Sequence, residues 1–382
     1  MILKGEAMSK IVYLGYYSRF QDARSANPAG ATLMEYIAQS VKSSGLDITV
    51  VSPAQTNDKS KKPMERVLLN NNIPAIYLSS LKRYSKKNYL MRFVQKSRRE
   101  RKHYKELLNL INDGDTVIAY HSLALIKILK KLRKKKNFRM ILQVGEIYAD
   151  VFENKRVRKK EVKFISGADS YIFSSKLLEE ELNKQNKKFV ICLGKYSIEP
   201  SRNVSFNDDK VHVVYAGTLD PRKGGAIAAV NAAAHLPEEY RMHILGFGSE
   251  SEIELLNSTI KEINKLQRCK VTYEGCLPEE EYIEFLQKCQ IGLSTQNPNA
   301  IFNATYYPSK ILVYLSNGLQ VVTVRIPAVE TSGVVDAVSF YDVQTPENIA
   351  NAVMNCGKID SKEVMNNLNE KFVKEIVELL EK

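Results

Sequence analysis

The chain has 382 residues, 44% of them hydrophobic and 26% charged, and a formal charge of +13. That length is too great for one ordinary core and suits two domains of about 150–200 residues, and the composition excludes a disordered chain. No stretch approaches the roughly 20 uncharged apolar residues of a membrane span. Met1 to Ala7 lack the apolar run of a signal peptide, so Met8 is a candidate start. The five cysteines (Cys192, Cys269, Cys276, Cys289, Cys356) are scattered and odd in number, which argues against a disulfide framework or structural zinc and for a reducing cytoplasm.

In chain order, Lys10–Gly15 reads as a strand and the polar segment Ser18–Asn27 as a loop. Pro28 opens an amphipathic helix that Gly45 stops, and Asp47–Ser52 is the next strand. This βαβ unit lacks G-x-G-x-x-G, so no dinucleotide site is expected. Strands at Ala75–Leu78, Thr116–Tyr120, Met140–Val144, Ser170–Phe173 and Val190–Cys192 alternate with helices at Tyr89–Ile111, Ser122–Lys136, Arg156–Gly167 and Lys176–Gln185. The polar stretch Ser197–Lys210 reads as a linker. A second alternation follows, with strands at Val211–Ala216, Met242–Leu245, Lys270–Glu274, Ile291–Thr295 and Gln320–Val324. Its helices run Ala226–His235, Glu250–Leu266, Pro278–Lys288 and Ser309–Asn317. Alternation of this kind specifies open parallel α/β sheets. The expected domains are 1–200 and 205–360. The last helix, 361–382, carries Val364, Leu368, Phe372, Ile376 and Leu379 at helical spacing and is expected to pack back across the linker.

The charge is uneven. Lys82–Lys105 holds eleven Lys or Arg against Glu100, Lys127–Arg139 eight with no acid, and Lys155–Lys163 six against Glu161. These runs read either as solvated helix faces or as contacts for an anionic partner. No helix-turn-helix, RNP or zinc-finger pattern supports nucleic acid. A peripheral contact with an anionic membrane fits better, because Tyr84, Tyr89, Leu90, Met91 and Phe93 interleave with the first run.

The chemistry concentrates in Tyr215–Gly225. Gly217 allows close backbone approach, and Arg222 and Lys223 precede a helix start, a combination suited to a diphosphate. Gly246-Phe247-Gly248 ends the neighbouring strand. In the first half, His121 and Glu146 follow strands and are the candidate catalytic groups. Asp113-Gly114-Asp115 precedes a strand, so it reads as a helix-to-strand turn, and no obligatory metal is expected.

From about Val211 to Val353 the chain resembles the sugar-nucleotide half of glycosyltransferase family 4, a retaining group of GT-B fold. The resemblance rests on Gly217, Lys223 and Gly224, then Gly246 and Gly248, the strand running to Gly275, Pro308-Ser309-Lys310, Gly318, and Glu330 after the last strand. Ser294–Pro298 and Phe302–Tyr314 are similar to members acting in capsule or exopolysaccharide assembly.

The resemblance implies two Rossmann-like domains facing a cleft and a nucleoside diphosphate sugar, UDP-sugar first, as substrate with no cofactor. It implies a glycan acceptor, lipid-linked, at the cytoplasmic face of the cell membrane. It assigns the diphosphate to Arg222 and Lys223 beside Gly217 and Thr218, and the phosphates and sugar to Tyr307, Pro308, Ser309, Lys310 and Ile311. The base falls to Gly248, Gly275, Cys276 and Leu277. The Glu-x7-Glu pair of many members is replaced by Thr305 and Val313, which leaves Glu330 or Asn303 for the ribose. A GT-B epimerase and a non-catalytic partner subunit are the alternative readings.

Overall fold

A computed structural model of the chain describes residues 10–19, 22, 24–58, 63–81, 89–151, 154–221, 224–298 and 307–381. The chain divides into two compact units. Unit 1 comprises Met1–Ser174, Leu178–Lys195 and Phe372–Lys382, and unit 2 comprises Ser175–Leu177 and Tyr196–Lys371.

Unit 1 is built from β1 (Ile11–Leu14), α1 (Pro28–Ser43), β2 (Ile48–Ser52), β3 (Glu65–Leu68), β4 (Pro74–Tyr77), α2 (Tyr89–Leu110), β5 (Thr116–Tyr120), α3 (Ile126–Arg133), β6 (Arg139–Val144), α4 (Tyr148–Val151), α5 (Lys155–Ile165), β7 (Ser170–Phe173), α6 (Lys176–Leu182) and β8 (Phe189–Ile191). The strand order is β3-β4-β2-β1-β5-β6-β7-β8, parallel except for the antiparallel β3–β4 pair. Parallel strands are covered on both faces, and all four residues of β1 and of β7 are buried. One face packs Val12, Leu107, Val117, Met140, Leu142 and Phe164 into a continuous core.

Unit 2 contains β9 (Val211–Thr218), α7 (Gly225–Ala232), β10 (Tyr240–Phe247), α8 (Glu250–Asn264), β11 (Lys270–Gly275), α9 (Glu279–Lys288), β12 (Ile291–Ser294), α10 (Lys310–Ser316), β13 (Gln320–Val324), α11 (Pro327–Glu330), β14 (Ser339–Tyr341), α12 (Pro346–Met354) and most of α13 (Ser361–Leu380). Its strands run in the order β11-β10-β9-β12-β13-β14, all parallel.

Four differences from the sequence reading have physical causes. β3 is an edge strand of alternating exposure, Glu65–Leu68, and is too short and charged to stand out as apolar. β14 and α12 lie between Val324 and Ser361, a span in which the sequence reading placed no element. The helix expected from Ser122 begins only at Ile126 and makes no side-chain cap hydrogen bond. β9 and β10 each run to eight residues, so Gly217 and Gly246 lie inside paired strands and face each other in register. A Cβ on Gly246, at φ +149°, would stand 1.8 Å from the Gly217 carbonyl oxygen, which restricts that position to glycine.

Asp113 and Asp115 serve the turn, as their place before a strand suggests. Asp115, 3% exposed, accepts from the amides of Lys10 (3.2 Å) and Asn112 (2.8 Å), and Asp113 accepts from Asn137 (2.6 Å).

The end of α13 belongs to unit 1. Phe372 stacks on Tyr36 at 5.5 Å between centroids, and Arg139 donates to the carbonyl oxygens of Leu379 (2.6 Å) and Leu380 (3.3 Å). Those bonds satisfy helix-end carbonyls with a cation, where the macrodipole favours one. Phe372 is 1% exposed, so Phe372→Ala should cost unit 1 about 3–5 kcal/mol. Urea unfolding followed by circular dichroism would read that loss. A midpoint equal to the parent's would show that the helix end is no part of this core.

Candidate active site

In each sheet the strand order reverses once, and connections leave in opposite directions from that point, which opens a crevice at the carboxyl ends of the strands. The reversal lies between β1 and β5 in unit 1, and between β9 and β12 in unit 2.

In unit 2, β9 and β12 pair only through Ile291 and Gly292 and then separate. Tyr314 of α10 bridges the gap: its hydroxyl accepts from the Ala216 amide (2.8 Å) and donates to the Leu293 carbonyl (3.3 Å). Gly292 makes room for that ring, since a Cβ there would lie 2.2 Å from it. The rim above is lined from four directions. Thr295 donates to the Gly225 carbonyl at 2.7 Å, tying the end of β12 to the start of α7. Tyr215 donates back to the Thr218 carbonyl at 3.2 Å. The ammonium of Lys310 sits 3.8 Å from the Tyr215 ring centroid and would be 3.0 Å from a Cβ on Gly217. The space that Gly217 leaves is therefore occupied by Lys310, a residue 93 positions along the chain.

The first turn of α7 is left without a side-chain cap. Its N-cap is Gly224 in the left-handed region (φ +67°), and among the described residues no side chain caps it, so the first-turn amides, which lack intrahelical acceptors, can offer donors to an anion. Beside it, α8 is closed by a capping box in which the Ser249 amide donates to Glu252 at 2.6 Å.

The proposed donor residues divide by burial. Thr218, Gly248, Leu277 and Lys310 are half-buried, and Ser309 and Cys276 are exposed at the same rim. Tyr307 and Pro308 are buried, and the Tyr307 hydroxyl has no hydrogen-bond partner; burial pushes its phenol pKa well up. Ile311 is 0% exposed, its side chain on the core face of α10. Glu330 is exposed and paired with Arg325 at 3.3 Å, and Asp342 takes the same guanidinium. Val313 is half-buried on α10. Arg222, Lys223, Asn303 and Thr305 lie outside the described residues.

In unit 1 the reversal point holds a cavity of about 460 Å³ lined by Tyr16, Asn27, Gly30, Tyr120, Ser122 and Tyr148 among others. Asn27 caps α1 by accepting from Ala29 at 3.1 Å. Tyr120 and Tyr148 hydrogen-bond through their hydroxyls; burial raises both phenol pKa values, seconded by the Glu146 carboxylate at Tyr120 and by Tyr120 and then Glu146 at Tyr148. Glu146 thus stands beside this pair, half-buried.

His121, the other candidate in unit 1, is buried. Adjacent strand residues point to opposite faces, and His121 turns away from Tyr120 into the core, 1% exposed. Its Nε2 lies 2.7 Å from Glu161, a carboxylate that also accepts from the amides of Tyr148 and Ala149 at 2.9 Å each. The carboxylate sets Nε2 as the donor nitrogen and leaves Nδ1 buried without a partner. Burial alone would raise the Glu161 pKa. The His121 bond and the two amides outweigh it and hold the carboxyl below its usual value of 4.5. Sequence reasoning missed Glu161 as one acid in a basic run. The available signal was its position on α5, four residues after Val157 and three before Phe164, on the apolar stripe.

No protein-family profile matches the chain, and no curated protein matches it either. Solved structures do. An E. coli trehalose-6-phosphate protein bound with UDP-2-fluoro glucose superposes with a TM-score of 0.67 at 13% identity, covering 96% of each chain. Anabaena HepE in complex with UDP and glucose gives 0.66 at 14%, covering 97% of this chain and 99% of its own. A UDP-forming α,α-trehalose-phosphate synthase from Burkholderia xenovorans in complex with glucose-6-phosphate gives 0.64 at 10%, covering 96% of each. These likenesses establish the fold, which is GT-B: two parallel-sheet α/β units.

Removing one partner of a buried hydrogen-bonded pair is costly, and Glu161→Ala should destabilise unit 1 by about 3–5 kcal/mol at neutral pH. The folded pKa of Glu161 is depressed, so its contribution is present above the unfolded value and is lost as pH falls through the folded one. Denaturant unfolding across pH should therefore show the gap between parent and variant narrowing below about pH 4.5. A gap that stays constant to pH 3 would remove the ionic account.

Proposed function

We propose that the chain is a glycosyltransferase that moves a hexosyl group from a UDP-sugar to a sugar-bearing acceptor, with retention at the anomeric carbon. The observation that carries this reading is the convergence of Gly217, the uncapped start of α7 and the Lys310 ammonium at the β9–β12 reversal. Arg222 and Lys223, in the loop between β9 and α7, would add two more cations. Such a cradle suits a diphosphate leaving group. The anomeric carbon–oxygen bond to the diphosphate breaks, the acceptor oxygen forms the new bond, and the acceptor proton departs on the diphosphate. The three cations stabilise the charge that develops there.

The acceptor falls to the cavity of unit 1, where tyrosine faces and hydroxyls suit a sugar ring. Glucose or glucose-6-phosphate in the structural relatives supports a sugar acceptor of this size. The finer reading is a lipid-linked glycan in capsule or exopolysaccharide assembly.

Incubation with UDP-glucose and other UDP-sugars should release UDP. Arg222→Ala and Lys223→Ala should each weaken UDP binding by about 1.5–3 kcal/mol, the scale of a charge-assisted hydrogen bond, as read by calorimetry. Absence of both turnover and a UDP-induced thermal shift would favour a non-catalytic partner, and free epimerised sugar would favour an epimerase.

A membrane-facing acceptor is supported by α2, where Met91, Phe93 (64% exposed) and Val94 stand beside exposed Arg92, Lys96 and Arg98. Among the described residues no helix is long and apolar enough to cross a membrane. Sedimentation with phosphatidylglycerol vesicles should fall steeply above about 0.15 M salt. Binding indifferent to salt, or none at low salt, would count against this attachment.

A further inference from the structure

Unit 2 carries a second cationic cavity, at the end of its sheet opposite the donor rim. It has a volume of about 300 Å³ and is lined by Lys210, Arg241, Arg268, Lys270, Gln267 and Glu238 among others. Lys210 directly precedes β9, Arg241 is the second residue of β10, and Lys270 opens β11. Eight-residue strands of about 3.3 Å per residue separate this end from Gly217 and Gly246 by roughly 20 Å. The cavity is therefore no part of the donor site.

Its lining holds four cations and one carboxylate, Glu238. Arg202 pairs with Glu280, Lys265 with Glu262, Lys288 with Glu284, and Arg325 with Glu330 and Asp342. Among the described residues, none of Lys210, Arg241, Arg268 or Lys270 has such an ion pair. Arg241 is half-buried and held by its own turn: Nη1 donates to the carbonyls of Glu238 (2.8 Å) and Tyr240 (2.9 Å). That fixes the guanidinium plane with Nε and Nη2 still available, so little side-chain entropy remains to be lost on binding.

The opposing terms are smaller. α8 ends at the cavity, but its carboxyl end presents only about half a negative charge. Two of the end carbonyls are already satisfied, Glu262 by the Lys265 amide (3.2 Å) and Ile263 by the Leu266 amide (3.0 Å). Glu238 supplies the one carboxylate of the lining. Asp208, which accepts from the Lys210 amide at 3.2 Å and lies within electrostatic reach of Arg241, adds a second carboxylate. Four cations against these two carboxylates and the helix end still leave a net positive site for an anion, and a planar fork beside point charges suits phosphate oxygens.

We propose that this cavity binds a phosphate-bearing anion, separately from the nucleotide sugar. The anion is either a soluble phosphate compound or a phosphate headgroup at a membrane surface.

Calorimetric titration of the full chain with inorganic pyrophosphate, in phosphate-free buffer, tests it. The exposed pair Arg268→Glu/Lys270→Glu should weaken pyrophosphate binding about tenfold or more, the weight of one charge-assisted hydrogen bond. Lys223→Ala should retain tight binding at this cavity, which separates it from the donor loop. Unchanged affinity in the charge-reversed variant, or binding lost only in Lys223→Ala, would overturn the proposal. Co-sedimentation with phosphatidylcholine vesicles, with and without phosphatidic acid, then identifies the source. Loss of phosphatidic acid-dependent sedimentation in the Arg268→Glu/Lys270→Glu variant assigns a headgroup, and retention of it alongside weakened pyrophosphate binding assigns a soluble phosphate.

Discussion

A parallel strand can be followed only by a crossover that returns the chain to the end from which the strand set out. Among the described residues thirteen of the fourteen strands are parallel, β3 being the exception, so each unit gathers its strand-to-helix loops along one rim. Where the order of strands reverses, two such loops leave in opposite directions and the backbone cannot close over the gap between them. Both candidate subsites follow from that single constraint. Tyr16 and Tyr120 flank the gap between β1 and β5, and Thr218 and Thr295 flank the one between β9 and β12. The chemistry of each site is local, but its location is fixed by topology.

What the sequence disclosed depended on whether a signal was local. Alternation of apolar strands with amphipathic helices exposed both sheets, because a buried parallel strand such as β1 or β12 is an unbroken apolar run. Gly217 and Gly224 could be singled out from their neighbours alone. The meeting of Gly217 with Lys310 could not, since it needs the register of β9 against β12 and the entry of α10 above them. His121 drew notice for following a strand. One residue of alternation decided that its ring faces the core, and the partner that fixes it lies 40 residues on. Ile311 shares a motif with Lys310, yet helical rotation buries one and leaves the other at the rim.

The missing carboxylates at Thr305 and Val313 acquire a context. Glu330, offered with Asn303 as an alternative for the ribose, is one of two carboxylates on Arg325, so recruiting it to a ribose would mean giving up that pair. An exposed pair of this kind is worth well under about 1 kcal/mol, too little to hold it against a good ligand contact. The hydroxyl of Tyr307, buried and without a partner among the described residues, is another polar atom with unused bonding capacity.

The last turns of α13 bear on how the molecule is made as well as on how it stands. Phe372 and the Leu379 carbonyl complete the core of the first unit, the latter through Arg139, a contact that spans 240 residues of chain. During synthesis the N-terminal half emerges first. Its sheet can form early, but it lacks its final apolar cover until α13 has also been made. Of the two units, the one begun first is thus completed only after the strands of the other have been made, and in that interval its Tyr36 face is exposed and has to be kept from other chains.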